Sequence, residues 1–198
     1  MNYTREQIEA AVKSKGYVWF EDASNKGYDV NIVGIRNSAT GQSVTNAFDD
    51  TLTISYKENG EWKFHSWPAT TDPGKKGVLE YHNAAGVARL VEGQYRGSHG
   101  IGLHQGKYEA LKQAKNVKVY RDANKDLNYD ENKIQEGIFG INIHKAGADS
   151  TYDENWSEGC QVFKKSADFD AFMIICNKSK NIHGNSFTYT LIESSDIK

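Results

Sequence analysis

Two residues carry the chemistry most worth following: His144, which ends the apolar run 137–144, and Cys160, sixteen positions later behind Ser157-Glu158-Gly159. A free thiol has a pKa of about 8.5, so a cysteine that attacks a carbonyl at neutral pH needs a nearby base or positive partner. A histidine at the end of an adjacent strand would supply that base. Gly159 lets the backbone approach closely, and the N–H groups of Gly159 and Cys160 would bind a developing oxyanion. Ser157 either ties the loop together or touches substrate. Cys160, His144, Gly159 and Ser157 together describe acyl transfer from an amide through a thioester. The second cysteine, Cys176, follows Phe172-Met173-Ile174-Ile175, the setting of a buried, inert thiol.

The elements that must position this pair read as mainly β, a β-sandwich or mixed β sheet with a few short helices. A helix opens the chain: Thr4 caps it, Gln7 follows three residues later, Ile8, Ala11 and Val12 share a face, and Gly16 stops it. This helix, 1–16, is read as an appendage to one catalytic domain spanning 1–198. Strands are expected over 18–20, 30–35, 51–56, 62–67, 87–91, 117–120, 137–144 and 186–192. Asn59-Gly60 between two alternating runs predicts a tight hairpin. In its second strand, Trp62, Phe64 and Ser66 should face one way and Lys63, His65 and Trp67 the other. Residues 70–74 read as a turn, the glycine-rich stretch 93–106 as loop, and 108–114 as a short helix. Phe169, Phe172, Met173 and Cys176 form a helical face.

Composition removes several function classes. The chain has 198 residues, 24 basic against 26 acidic, and a net charge of −2, with no basic run of the kind a nucleic-acid binder presents. Two cysteines in a chain of this size make no disulfide scaffold. No apolar segment is long enough for a membrane span, and Met1-Asn2-Tyr3-Thr4-Arg5-Glu6-Gln7 has no secretory signal character. The expectation is therefore synthesis in the cytoplasm, with a phage or another non-classical route to any substrate outside it. Residues 121–130 space oxygen side chains like a calcium loop, but Leu127 and Lys133 stand where a glycine and a bidentate glutamate belong, so an Asx-rich turn is the reading. His99, His104 and His144 lack zinc-site spacing. Neither metal nor cofactor is expected, and the oligomeric state is left open.

The order His144, then Ser157-Glu158-Gly159-Cys160, resembles the signature of the L,D-transpeptidase (YkuD-like) family, which places histidine before Ser-x-Gly-Cys. Papain-like proteases have the reverse order. The run from Asn31 to Leu191 resembles a phage- and bacterium-encoded branch, marked here by Ala69-Thr70-Thr71-Asp72-Pro73-Gly74, Gly93-Gln94-Tyr95, Gly140-Ile141-Asn142-Ile143-His144 and Trp156-Ser157-Glu158-Gly159-Cys160-Gln161-Val162. The resemblance implies a mostly β catalytic sandwich and a peptidoglycan stem peptide as partner. Cys160 would attack the carbonyl of a diamino-acid residue, His144 would take the thiol proton, and the carbonyl just after it would orient the ring. His104, Trp156 and Lys145 are the candidate substrate contacts. Three positions depart from the family: Lys145 replaces glycine, Glu158 replaces histidine, and Gln161-Val162 replaces the usual arginine or asparagine. Hydrolysis by a carboxypeptidase or endopeptidase is thus implied as much as cross-linking. A non-catalytic wall-binding or virion component and a cytoplasmic cysteine amidohydrolase are the alternatives.

Overall fold

Local signals at the start of the chain are strong enough to fix a helix. In α1 (Arg5–Ser14) the Thr4 side chain accepts from the Gln7 amide while the Gln7 side chain accepts from the Thr4 amide, a complete capping box. Gly16, at φ 73°, donates to Lys13 O, and Tyr17 donates to Val12 O, which is the Schellman closure that glycine permits at C′. The buried face of α1, Ile8, Ala11 and Val12, packs with Val33, Ile35, Ile192 and Trp19. Each fully buried aliphatic side chain there contributes about 1.5–3 kcal/mol.

The computed structural model describes residues 2–80, 83–153 and 156–198, and these are mainly β. The strands are β1 (Asn31–Arg36), β2 (Asp50–Glu58), β3 (Glu61–Thr70), β4 (Val87–Leu90), β5 (Gly93–His104), β6 (Tyr108–Gln113), β7 (Val117–Asp122), β8 (Ile134–Gly137), β9 (Ile143–Lys145), β10 (Gln161–Phe163) and β11 (Phe187–Glu193). Two further helices, α2 (Lys75–Glu80) and α3 (Ser166–His183), flank them. The main sheet is mixed, and it closes on itself in the order β1-β11-β5-β6-β9-β10-β3-β2 instead of stacking as two open layers. A second sheet, β4-β7-β8, stands beside it. Closure removes free strand edges, and the α1 cover explains why β1 is buried along its whole length. Among the described residues, no helix is long and apolar enough to cross a membrane.

The Asn59-Gly60 hairpin forms as its sequence requires, with φ of 54° and 81° at the two turn residues. Trp62 and Phe64 lie against the α1 cluster, while Trp67 reaches the barrel core and His65 stacks on it. Four expectations change. Residues 18–20 form no strand, because side-chain amides satisfy that backbone: Gln94 exchanges bonds with Val18, and Asn31 with Phe20. The glycine-rich stretch is not loop but the long strand β5. Gly97, at φ 58°, sits where the β5–β11 register shifts, so it serves a bulge. Residues 108–114 carry helix formers yet form β6, since pairing with β5 outweighs local propensity. Finally, 137–144 is not one strand. Residues 138–142 are irregular, pinned by Gln113, whose side-chain oxygen accepts from Phe139 and Ile141, and by Asn142, whose side chain accepts from the Gln113 amide.

One buried charge ties the barrel to the small sheet. Arg36 is fully buried and donates to Thr71 O, Leu90 O and Glu92, with Asp72 2.8 Å away. A guanidinium so saturated tolerates burial that an unpaired cation could not. It also fixes the 70–74 turn from which α2 starts.

Candidate active site

β9 and β10 run parallel, with His144 opposite Val162 and Ile143 opposite Gln161. Cys160 therefore precedes its strand by one residue and lies two residues back from His144's partner. With strands about 4.8 Å apart and a rise of about 3.3 Å per residue, their Cα atoms are roughly 8 Å apart.

The loop that presents the thiol is specified tightly. Gly159 adopts φ 132°, and a Cβ there would fall 2.0 Å from the carbonyl oxygen of Ala88 in β4. Ser157 is fully buried; its hydroxyl donates to Cys160 O (2.8 Å) and accepts from the Gly159 amide (3.0 Å). Gly159's N–H is thus engaged within the loop, which corrects its expected part in an oxyanion hole and leaves the Cys160 N–H as the candidate donor. The Gln161 side chain completes the brace: Nε2 donates to Gly159 O (3.2 Å) and Thr71 O (3.4 Å), and Oε1 accepts from the Tyr189 hydroxyl (2.7 Å). Gln161 is therefore a buried strut.

His144 is buried, with 4% of its surface exposed. Its Nδ1 lies 3.0 Å from the Lys145 carbonyl, which fixes Nδ1 as the protonated nitrogen and leaves Nε2 to accept. His104 stacks on it with ring centroids 4.3 Å apart. Burial pushes His144 down to about 4, opposed by the Lys145 carbonyl and reinforced by His104. Burial also lowers His104, with Lys112 and Lys107 adding to the effect. The Cys160 thiol is pushed the other way, up to about 11, by crowding around the sulfur; the Asn142 amide opposes this, and Asp153 and Glu158 add to it. Sγ donates to Gly140 O at 3.3 Å, and among the described residues no hydrogen bond joins it to His144. The resting pair is thus neutral thiol and neutral imidazole. Both shifts oppose moving the proton from sulfur to imidazole in this resting geometry.

Cys160 opens into a cleft of about 520 Å³ lined by His104, Lys112, Arg121, Asn142 and Glu158 among others. A larger depression, about 640 Å³, lined by Glu92, Tyr129 and Glu131 among others, contains no cysteine or histidine. Of the expected site residues, Cys160 and His104 line this cleft, Ser157 and Gly159 lie in the loop that carries Cys160, and His144 stacks on His104 without lining it. Two expected substrate contacts lie elsewhere. Lys145 pairs with Asp170 (3.0 Å) and Ser166 Oγ (2.8 Å) at the start of α3, drawn there by the helix's acidic side chain. Trp156 is exposed at the surface beside Gly147 and does not line the cleft. Arg121 and Lys112 were not foreseen, since strands far apart in sequence bring them in.

His99 was considered only as an unsuitable zinc ligand, yet it is a buried brace. Its Nε2 donates to Ile141 O (2.8 Å), holding the irregular segment beside the nucleophile. Burial pushes it down to about 4, against the pull of that carbonyl. Folding keeps His99 neutral, whereas the unfolded chain protonates it near pH 6.5. Its contribution is therefore complete above about pH 6.5 and is lost as pH falls towards 4. His99→Gln, which keeps a donor, should lose roughly 2.5 kcal/mol less than wild type between pH 7.5 and 4.5 in urea titrations. Parallel acid limbs for the two proteins would mean that His99 titrates normally.

Searches by sequence and by fold found no matching family model, no matching curated protein and no matching solved structure.

Proposed function

We propose that this protein is a cysteine-dependent acyl transferase or peptidase of peptidoglycan stem peptides, acting as an L,D-transpeptidase or as an L,D-carboxypeptidase or endopeptidase. The observation that carries the reading is the parallel β9–β10 pairing, which puts a carbonyl-oriented histidine next to a cysteine on a rigid, cleft-facing loop. Cys160 Sγ would attack the amide carbonyl, its proton passing to His144 Nε2 and on to the leaving amine. The thioester would then transfer its acyl group to an amine or to water. Because both groups rest neutral, proton removal must accompany attack, when the forming oxyanion gains the Cys160 N–H and the thiol leaves Gly140 O.

Purified sacculi or muropeptides incubated with the protein test this by mass spectrometry. Loss of a terminal D-amino acid or a new cross-link, abolished in Cys160→Ser, is the expected result. Unaltered muropeptides with wild type would rule the reading out for this substrate. The raised thiol and its bond to Gly140 O favour a second reading, a non-catalytic wall-binding protein, which predicts sedimentation with sacculi unaffected by Cys160→Ser.

A further inference from the structure

The segment that follows β7 alternates oxygen side chains, Asp122, Asn124, Asp126 and Asn128, and most of them are satisfied locally. Asn124 Oδ1 accepts from the Asp126 amide and Asp126 Oδ1 from the Asn128 amide, so this stretch is the Asx-rich turn its sequence suggests. Asp122 is different. It exposes 1% of its surface, and neither of its carboxylate oxygens has a hydrogen-bond partner. The Asn124 amide lies beside the carboxyl and favours its charged form. One Glu131 oxygen is likewise buried and unpartnered. The Asp122 and Glu131 carboxyl groups touch each other, close enough to share a proton when no cation is bound, and the charge of Asp126 acts on both. The nearest guanidinium in sequence, Arg121, turns away to Gln135 and Gly86 O. Covered carboxylates without donors are costly, and proteins resolve them with a cation or a shared proton.

We propose that Asp122 and Glu131 bind a hard divalent cation, calcium, with amide and carbonyl oxygens of residues 124–128 and water completing the shell. The all-oxygen donor set selects calcium over zinc or copper. Among the described residues no three histidine, cysteine or carboxylate side chains converge as a metal set, so the site has two charged ligands. Few charged ligands place the affinity in the weak class of calcium modules, with Kd on the order of 0.1–1 mM.

The location gives the ion a structural consequence that is independent of the proposed reaction. Asp122 pairs with Val87 of β4, and a Cβ on Gly86 would fall 1.6 Å from Asp122 O. The next residue in β4, Ala88, takes the 157–160 loop: its amide donates to Glu158 O, and its carbonyl lies under Gly159. A cation at Asp122 would therefore fasten the sheet that backs Cys160.

Thermal unfolding and calorimetric titration with calcium chloride test this on the full chain, after treatment with EDTA. Wild type should gain about 5 °C in Tm at 10 mM calcium, with saturable heat, and much less with magnesium at equal ionic strength. Asp122→Asn and Glu131→Gln should each abolish the gain, while melting in EDTA no lower than wild type because like-charge repulsion is relieved. No heat and no shift for wild type, or a shift that survives both substitutions, would overturn the proposal. So would a stability in EDTA that falls in wild type relative to Asp122→Asn as pH rises from 4 to 7 and stays indifferent to calcium, the signature of a shared proton.

Discussion

Gly159→Ala should lower the stability of the protein by about 4 kcal/mol or more, a fall of roughly 10 °C in Tm for a chain of this size. Two independent costs add. The backbone at φ 132° is a region that L side chains rarely adopt, worth about 1–3 kcal/mol. The added methyl would also overlap the Ala88 carbonyl at 2.0 Å, and a strand carbonyl in β4 cannot move aside as a side chain would. Relief requires the 157–160 loop to lift off β4, which breaks the Ala88–Glu158 bond and tilts Cys160. Urea unfolding with an unchanged m-value would register the loss, and activity should fall with it. A variant within 0.5 kcal/mol of wild type would mean that the loop does not rest on β4 as described.

Cys160 should alkylate slowly at neutral pH, at least about 100-fold more slowly with iodoacetamide than a free thiol. A thiol near 11 is about 0.01% ionised at pH 7, against about 3% for an unperturbed one. The rate should climb through pH 9 and beyond without a plateau at acid pH. His144→Ala should leave that resting rate unchanged or raise it, since the ring contributes no charge and its removal opens the cleft. The same substitution should nonetheless lower kcat/KM on any acyl substrate by 10²-fold or more, because a base is needed once attack begins. Rapid labelling below pH 7 that disappears in His144→Ala would show a preformed thiolate–imidazolium pair and refute the neutral resting state.

Those two predictions draw on different depths of the sequence. Gly159 was legible because a close-approach residue is a side-chain identity, and Cys160 and His144 stand out in the sequence as a candidate nucleophile and base for the same reason. The partners that set the thiol's state were not. Gly140 contributes a carbonyl and Asn142 an amide, and any residue carries those. Lys145 was legible as a cation but not by destination, since Asp170, in the first turns of α3, draws it there. The same divide runs through the fold. Capping at Thr4 and the Asn59-Gly60 turn are local, and they formed as read. The β5–β6 hairpin is not local in that sense: its glycines and helix formers argue against strands, and only partners on both sides overrule them.

Barrel closure has a consequence for how the chain acquires its shape. β1 joins β11 in parallel, Ile32 beside Tyr189, so the seam links positions roughly 150 residues apart. Contacts of such separation carry a large loop-closure cost before they return any stabilisation, and folds dominated by them form slowly. On the ribosome, β1 and β2 emerge early with their apolar faces made for partners still to be synthesised. The nucleophile loop also precedes α3 and β11, and its brace Gln161 relies on Tyr189. Cys160 therefore cannot be held in its final setting until the last strand has docked, and the loop that carries it matures at the end of folding.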